Sequence, residues 1–237
     1  RKRHMMAHEI EQNRLRLNEE KVNFLVNVSH ELRTPLTLIY SPLNRLLRQT
    51  SPDHQNYPLI QTARRQTLRM THVINMVLDL EKMEHHSVQL QIAPHAFNRW
   101  VEEGIEDFVS EGKELGVKVV FEPDTRITPV EFDSRKCDIV LNNLIMNALK
   151  HSPENSTITI RTRMDEEKQQ VQLSVSDEGT GLHPDDMKHL FTRFYQGTKE
   201  NSGTGLGLAY SKVLLEQHNG CIGVYNNEKK GATFYFI

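Results

Sequence analysis

Residues 24–36 read Phe-Leu-Val-Asn-Val-Ser-His-Glu-Leu-Arg-Thr-Pro-Leu. Around this stretch Val22, Leu25, Val26, Leu32, Leu36, Ile39, Leu43, Leu46 and Leu47 recur at helical spacing and share one broad face. His30 lies beside that seam. A helix-surface imidazole is neutral near pH 7, so it can act as a nucleophile or a proton carrier. Glu31 can accept a hydrogen bond from the imidazole N–H, which leaves the other ring nitrogen as a lone pair. Pro35 removes the hydrogen bond to the Glu31 carbonyl and predicts a bent or loosened helix beside the histidine. The chain has 12 histidines, so a lone one on a helix is by default an ordinary surface residue. The rest of the chain has to supply any chemistry that His30 would join.

At 237 residues the length suits one large domain or two small ones. A net charge of −2 gives no electrostatic case for nucleic-acid binding. The hydrophobic fraction, 37%, fits a long helical seam joined to a modest globular core. No apolar run approaches the ~20 residues of a membrane span. Cys137 and Cys221 are isolated, which argues against a metal cluster or a disulfide framework and for a reducing setting. The chain opens at Arg1 without Met and closes in what reads as mid-strand, so it is expected to be a fragment. Arg1-Lys2-Arg3-His4 suits the cytoplasmic flank of a missing membrane helix, or a solvated basic helix end.

In order along the chain, residues 1 to about 48 carry one helical pattern, a rod of ~70 Å. Residues 1–21 read as a coiled-coil extension. Pro42 interrupts without ending the periodicity, so a kink is expected there. Ser51-Pro52 resembles an N-cap with proline at the first helical position, and Tyr57-Pro58 offers a second possible start. The period returns from Leu59 and ends near Glu84-His85-His86. Two striped helices with a short connection make an antiparallel hairpin. Two hairpins about a twofold axis bury both stripes as a four-helix bundle, so a homodimer is expected; the rival is a hairpin folded onto the second domain. The expected domains are 1–87 and 88–237. In the second, strands are expected at Val88–Ile92, Val117–Phe121, Thr157–Met164 and Val171–Asp177. Helices are expected from Pro94 to Leu115, from a cap at Asp133-Ser134 to Lys150, and from Leu206 to His218. A closing hairpin spans Cys221–Tyr225 and Ala232–Ile237. The fold class is α+β: a helical hairpin followed by an α/β sandwich.

Three stretches of the second domain carry chemistry. Asn143, Asn147 and Lys150 share one helix face. An Asn carbonyl can ligate Mg²⁺ and a Lys can meet phosphate, although a plain polar outer face is the simpler account. Asp177-Glu-Gly179-Thr-Gly181 follows a strand; glycines let a flat ring approach, and the carboxylate can accept an exocyclic amino group. Gly203-Thr204-Gly205-Leu206-Gly207 opens a helix whose N-terminal N–H groups suit an anion. It is neither a P-loop nor a dinucleotide fingerprint. Residues 184–202 between them read as a long polar loop, often a lid, with Phe191, Phe194 and Tyr195 either pinning it or belonging to the core.

Ser29–Leu36 resembles the phospho-acceptor box of sensor histidine kinases. Residues 138–151, 177–181, 190–195 and 203–207 resemble, in order, the N, G1, F and G2 boxes of their ATP-binding domain, and Gly231-Ala-Thr233-Phe234 resembles its closing turn. The likeness spans the chain from Val22. It implies a dimeric four-helix bundle and a Bergerat (GHKL) ATP-binding fold, with ATP and Mg²⁺ bound. By that resemblance Asn147 holds Mg²⁺, Asn143 and Lys150 lie near the phosphates, and Asp177 binds adenine. Gly179 and Gly181 wall the adenine pocket; Gly203, Thr204, Gly205, Leu206 and Gly207 border the lid and phosphates. Two positions depart: Glu178 stands where Asn is common, and His151, beside the nucleotide, where Tyr is common. The wording around the acceptor, with Tyr40-Ser-Pro42, is also similar to hybrid sensors of gut Bacteroidetes.

The implied reaction moves the γ-phosphoryl of ATP to Nε2 of His30, with Glu31 orienting the imidazole and taking its proton, and then to an aspartate of a response-regulator receiver. Thr34, one turn on, can position water for the reverse phosphatase reaction. The implied setting is the cytoplasmic portion of an inner-membrane sensor. Two rivals remain: an ATP-gated dimeric interaction module that transfers nothing, and a chaperone-type or repair-type ATPase, which lacks an acceptor histidine on a preceding hairpin.

Overall fold

The computed structural model describes residues 27–29, 31–85, 89–197 and 204–237. The chain divides into two compact units, Arg1–Val88 and Gln89–Ile237. The expected extension over residues 1–21, the acceptor His30 and Gly203 lie outside the described residues.

In the first unit, helix α1 covers residues 31–49 and α2 covers Tyr57–His85. The Arg33 guanidinium donates to Asn75 Oδ1 at 3.0 Å, and the Arg64 charge lies near the Tyr40 hydroxyl. Ascending positions of α1 therefore meet descending positions of α2, an antiparallel hairpin. Pro35 and Pro42 both lie inside α1. Beside Pro35 the Thr37 hydroxyl donates to the Arg33 carbonyl at 2.9 Å, a back-bond that often accompanies helix bending. Ser51-Pro52 does not start a helix. His54 N–H bonds the Ser51 carbonyl at 3.0 Å and Tyr57 N–H the His54 carbonyl at 2.9 Å, so residues 51–56 turn the chain instead. The start falls at the second proline: Pro58 sits in the first turn, where no donor is needed, and Ile60 N–H makes a bond to Asn56 at 3.0 Å. Leu36, Met76 and Leu78 are buried, whereas Leu32, Leu38, Ile39, Leu46, Leu59, Leu68 and Met70 stay exposed. No helix among the described residues is long and apolar enough to cross a membrane.

The second unit runs β1 (Ala93–His95), α3 (Phe97–Glu114), β2 (Lys118–Glu122), β3 (Val130–Phe132), α4 (Ser134–His151), β4 (Thr157–Asp165), β5 (Gln170–Ser176), α5 (Pro184–His189), α6 (Gly207–Gln217), β6 (Ile222–Asn226) and β7 (Ala232–Phe236). Five strands form one sheet in the order β2-β4-β5-β7-β6. Among the described residues only the β2–β4 pair is parallel; β1 and β3 form a separate antiparallel pair. Alternation sorts the strands into two faces. Ile158, Ile160, Leu173, Val175, Phe234 and Phe236 are buried, while Arg161 and Arg163 of β4 are exposed on the other face. Helices α3, α4 and α6 lie against β2, β5 and β6 respectively. They close the core with Val101, Ile105, Val140, Leu141, Leu144, Ile145 and Leu214. This is the expected α+β sandwich.

Three local expectations change. The alternating stretch ending at Ile92 is not a strand: residues 89–92 are irregular, Ile92 is exposed, and Val88 lies outside the described residues. Gln91 N–H donates to Asp133 Oδ2 at 2.8 Å, so this stretch is tied to the cap of α4, and strand pairing begins at Ala93. Pro94 accordingly belongs to β1, and α3 begins at Phe97. Residues 184–189 are helical, with Pro184 in the first turn and the His183 ring accepting from Asp185 N–H at 3.3 Å.

Candidate functional site

Helix α4 begins at a real cap: the Asp133 carboxylate accepts from Lys136 N–H at 3.2 Å. Its buried side is Val140, Leu141, Leu144, Ile145, Ala148 and Leu149. That orientation leaves Asn143, Asn147 and Lys150 on the more open side. Asn143 is committed to the start of α6. Its Nδ2 donates to the Gly207 carbonyl at 3.0 Å and to Ser211 Oγ at 3.1 Å. A Cβ on Gly207 would stand 3.2 Å from Asn143 Oδ1, so the helix approaches through a glycine.

Asp177 follows β5 and is 4% exposed. Its Oδ1 accepts from Gly179 N–H at 2.8 Å and from Ala232 N–H at 3.2 Å, and its own N–H donates to the Ala232 carbonyl at 2.9 Å. Among the described residues no donor hydrogen-bonds Oδ2. Burial pushes the carboxyl pKa up; the two N–H groups and the nearby His151 charge oppose this in part. The result is a buried acceptor with Oδ1 anchored and Oδ2 left for a further donor.

The glycines fit by close approach. A Cβ on Gly179 would come to 2.5 Å from the His151 carbonyl, which joins this turn to the end of α4. Gly181 has φ +71° and Gly205 has φ +65°. A Cβ on Gly205 would meet the Phe194 backbone at 2.6 Å, and Phe194 N–H bonds the Gly205 carbonyl at 2.9 Å. Thr204 Oγ1 accepts from Leu206 N–H at 3.4 Å, and Leu206 is buried. The Tyr195 hydroxyl donates to Asp186 Oδ1 at 2.6 Å. Phe194 itself is exposed.

The second half of α4, the turn after β5 and the start of α6 thus converge within the second unit. Asn147 and Lys150 stand on α4 itself, and His151 closes it. Glu178, one of the two departures, works structurally. Its carboxylate accepts from Thr157 N–H at 2.9 Å and ties the turn to β4. Glu31 and Thr34 lie on α1 of the other unit. Sequence reasoning passed over Ser211, Asp186, Asn226 and Asn227. Ser211, Asn226 and Asn227 take partners far along the chain and Asp186 takes Tyr195, nine residues on, and the two asparagines read only as turn formers beside Gly231.

Two family models match this chain in succession. The His Kinase A (phospho-acceptor) domain matches residues 20–86. The histidine kinase-, DNA gyrase B- and HSP90-like ATPase matches residues 132–237. The chain belongs to the sensor histidine kinases. Among curated relatives, this kinase core is 35% identical to the sensor histidine kinase WalK of Bacillus subtilis over 93% of its own length and 37% of that protein. It is 29% identical to histidine kinase P4 of Formosa agariphila over 92% of its length and 16% of that protein. The chain therefore spans well under half of these relatives. Among solved structures, full-length ShkA in complex with AMPPNP superposes with TM-score 0.75 at 25% identity, over 90% of this chain and 45% of that one. The nucleotide-free catalytic domain of ThkA superposes with TM-score 0.56 at 28% identity, over 62% of this chain and 94% of that one.

Proposed function

We propose that this kinase core transfers the γ-phosphoryl of ATP to His30 and passes it on to a receiver aspartate. The observation that carries the reading is Asp177, a buried carboxylate with Oδ1 held by Gly179 and Ala232 N–H groups and, among the described residues, no donor on Oδ2. Such an acceptor suits the exocyclic amino group of adenine. Residues 88–237 form the ATP-binding domain and 1–87 the dimerising acceptor hairpin. The exposed leucines of α1 and α2 are covered by a second copy, giving a four-helix homodimer.

In the transfer, the P–O bond to the ADP leaving group breaks as a bond from Nε2 of His30 to phosphorus forms. Glu31 accepts the hydrogen bond of the other ring nitrogen, orients the ring and takes up its proton. Asn143 holds the start of α6 in place, Lys150 meets phosphate oxygens, and residues 203–207 border them. Asn147 fits a magnesium site as one amide oxygen. Mg²⁺ held there would supply charge neutralisation on the phosphates. Thr34 positions water for the reverse dephosphorylation of the receiver. In the full-length protein these two units form the cytoplasmic part of a membrane-anchored sensor.

The test is incubation with γ-labelled ATP and Mg²⁺, comparing the chain with His30→Gln. Label that is acid-labile, base-stable and absent from the variant is expected of a histidine phosphoramidate. Nucleotide binding without label would favour a gated interaction module over a kinase.

A further inference from the structure

The turn between β6 and β7 opens with two asparagines whose side chains do different work. Asn226 pairs with the peptide of Leu182 in both directions. Its Oδ1 accepts from Leu182 N–H at 2.8 Å, and its Nδ2 donates to the Leu182 carbonyl at 2.8 Å. The side-chain amide thus imitates a neighbouring strand for one residue. Asn227 reaches the other end of the same loop. Its Nδ2 donates to the Asp177 carbonyl at 2.9 Å, to Ser176 Oγ at 3.1 Å and to the Lys230 carbonyl at 3.1 Å. The Thr233 hydroxyl orients it, lying 2.6 Å from Asn227 Oδ1 and 2.9 Å from Ser176 Oγ.

Residues 177–182 are therefore gripped at both ends by one dipeptide. Within that span lie Asp177, Gly179 and Gly181. Glycines make the loop intrinsically soft, because they give up the most backbone freedom on ordering. Two of its contacts leave no slack: Gly231 passes so close that a Cβ would lie 1.9 Å from the Asp177 carbonyl, and one on Gly181 would lie 3.1 Å from Asn226 Oδ1. Any drift of the β6–β7 turn is thereby passed to the Asp177 peptide and its carboxylate.

We infer that Asn226 and Asn227 are positioning residues for base recognition, holding the Asp177 carboxylate and the glycine turn in the geometry that selects a base with an exocyclic amino group. This rests on the reading of Asp177 as the adenine acceptor. The two residues act through Asp177 and touch no substrate. Asn227 carries more of the effect, because it is half-buried whereas Asn226 is exposed and its bonds compete with water.

The test uses the whole chain and two nucleotides, ATP and the triphosphate of purine riboside, whose base lacks the amino group. A site built to accept that group discriminates against the analogue. Wild type is expected to favour ATP. Asn227→Ala and Asn227→Asp are expected to weaken ATP binding by about tenfold while changing analogue binding little, so the affinity ratio falls. Asn226→Ala is expected to act in the same sense more weakly, and Asn226→Asp, which keeps the acceptor for Leu182 N–H, to recover part of the loss. Thr233→Val removes the hydroxyl that orients Asn227 at nearly constant shape, and serves if the asparagine variants fold poorly. An equal loss for both nucleotides, or an unchanged ratio, overturns the inference and leaves these residues a structural role only. A wild type that binds both nucleotides equally overturns it too. That failure belongs to the adenine reading of Asp177, and it is recognised because it precedes any substitution.

Discussion

The two units of this chain differ in what they can bury alone. In the second unit Val140, Leu141, Leu144, Ile145, Ile158, Ile160, Leu173 and Val175 are fully enclosed by one chain. In the first unit, among the described residues, only Leu36, Met76 and Leu78 of the hairpin's large apolar side chains are buried, and seven others face outward. At ~25 cal/mol per Å² of apolar surface buried, a two-helix hairpin with so little covered cannot offset the entropy of ordering its residues. A sheet with helices over one face closes its own core, whereas two helices alone leave part of each apolar stripe uncovered. The difference teaches that the second unit closes its own core, while the hairpin leaves apolar side chains that the proposed second copy would cover.

The largest expected effect breaks the second unit at its tightest contact. Gly231 has φ +83°, and an added Cβ would lie 1.9 Å from the Asp177 carbonyl. Gly231→Ala should cost more than about 3 kcal/mol, since strain and a backbone clash act together. Gly197→Ala, whose Cβ would meet Asp186 at an ordinary 3.5 Å, should cost less than about 1 kcal/mol. Thermal unfolding of the whole chain checks both. The Gly231 variant should lower the transition that nucleotide shifts. Equal effects of the two substitutions would mean that the turn has slack.

The next prediction tests the hairpin. Tenfold dilution should lower the melting temperature of the hairpin transition and leave the nucleotide-sensitive one in place, because only the first is linked to association. Ile39→Ser should raise the dimer dissociation constant by about tenfold or more, the scale of one large side chain losing its burial. Sedimentation of the variant beside the wild type reads this directly. Melting independent of concentration would show that one chain satisfies its own hairpin.

Much of this architecture was legible in the sequence, and what was not has a common cause. Helix α4 could be found because its cap and apolar period are local: Asp133 starts it, and the buried stripe runs to Leu149. The turn after β5 was marked by an acid followed by glycines. The stretch ending at Ile92 misled because alternation signals a strand only where a partner strand exists, and here the partner β3 is three residues long and pairs further on. Helix α5 carried its signals, Pro184 with Asp185 and Asp186 first and Lys188 and His189 last, but six residues are too few to show a period. The partners of Asn143, Asn226 and Asn227 lie in other elements, at separations that no local pattern encodes. The resemblance implied Asn143 near the phosphates; its Nδ2 bonds to Gly207 and Ser211 are what local pattern could not show.

The smallest expected effect sharpens the comparison through pH. Burial raises the pKa of Asp177 above that of an exposed carboxyl. As pH falls, the empty site takes up its proton earlier than the surface carboxylates do. A protonated Oδ2 donates and no longer accepts from an amino group, so ATP affinity should fall a few-fold starting above the ordinary carboxylate range of about 4. The sign for stability is opposite. The folded unit binds a proton that the unfolded chain does not yet hold, so this group makes the empty unit more stable as pH drops through the same window. Asp177→Asn should bind ATP weakly at every pH and lose this part of the slope, which separates it from titration of the phosphates. Nucleotide titrations at stepped pH, run beside sedimentation at each step, should show ATP affinity changing before dimerisation does. Parallel loss of both would place the sensitive group outside the Asp177 pocket.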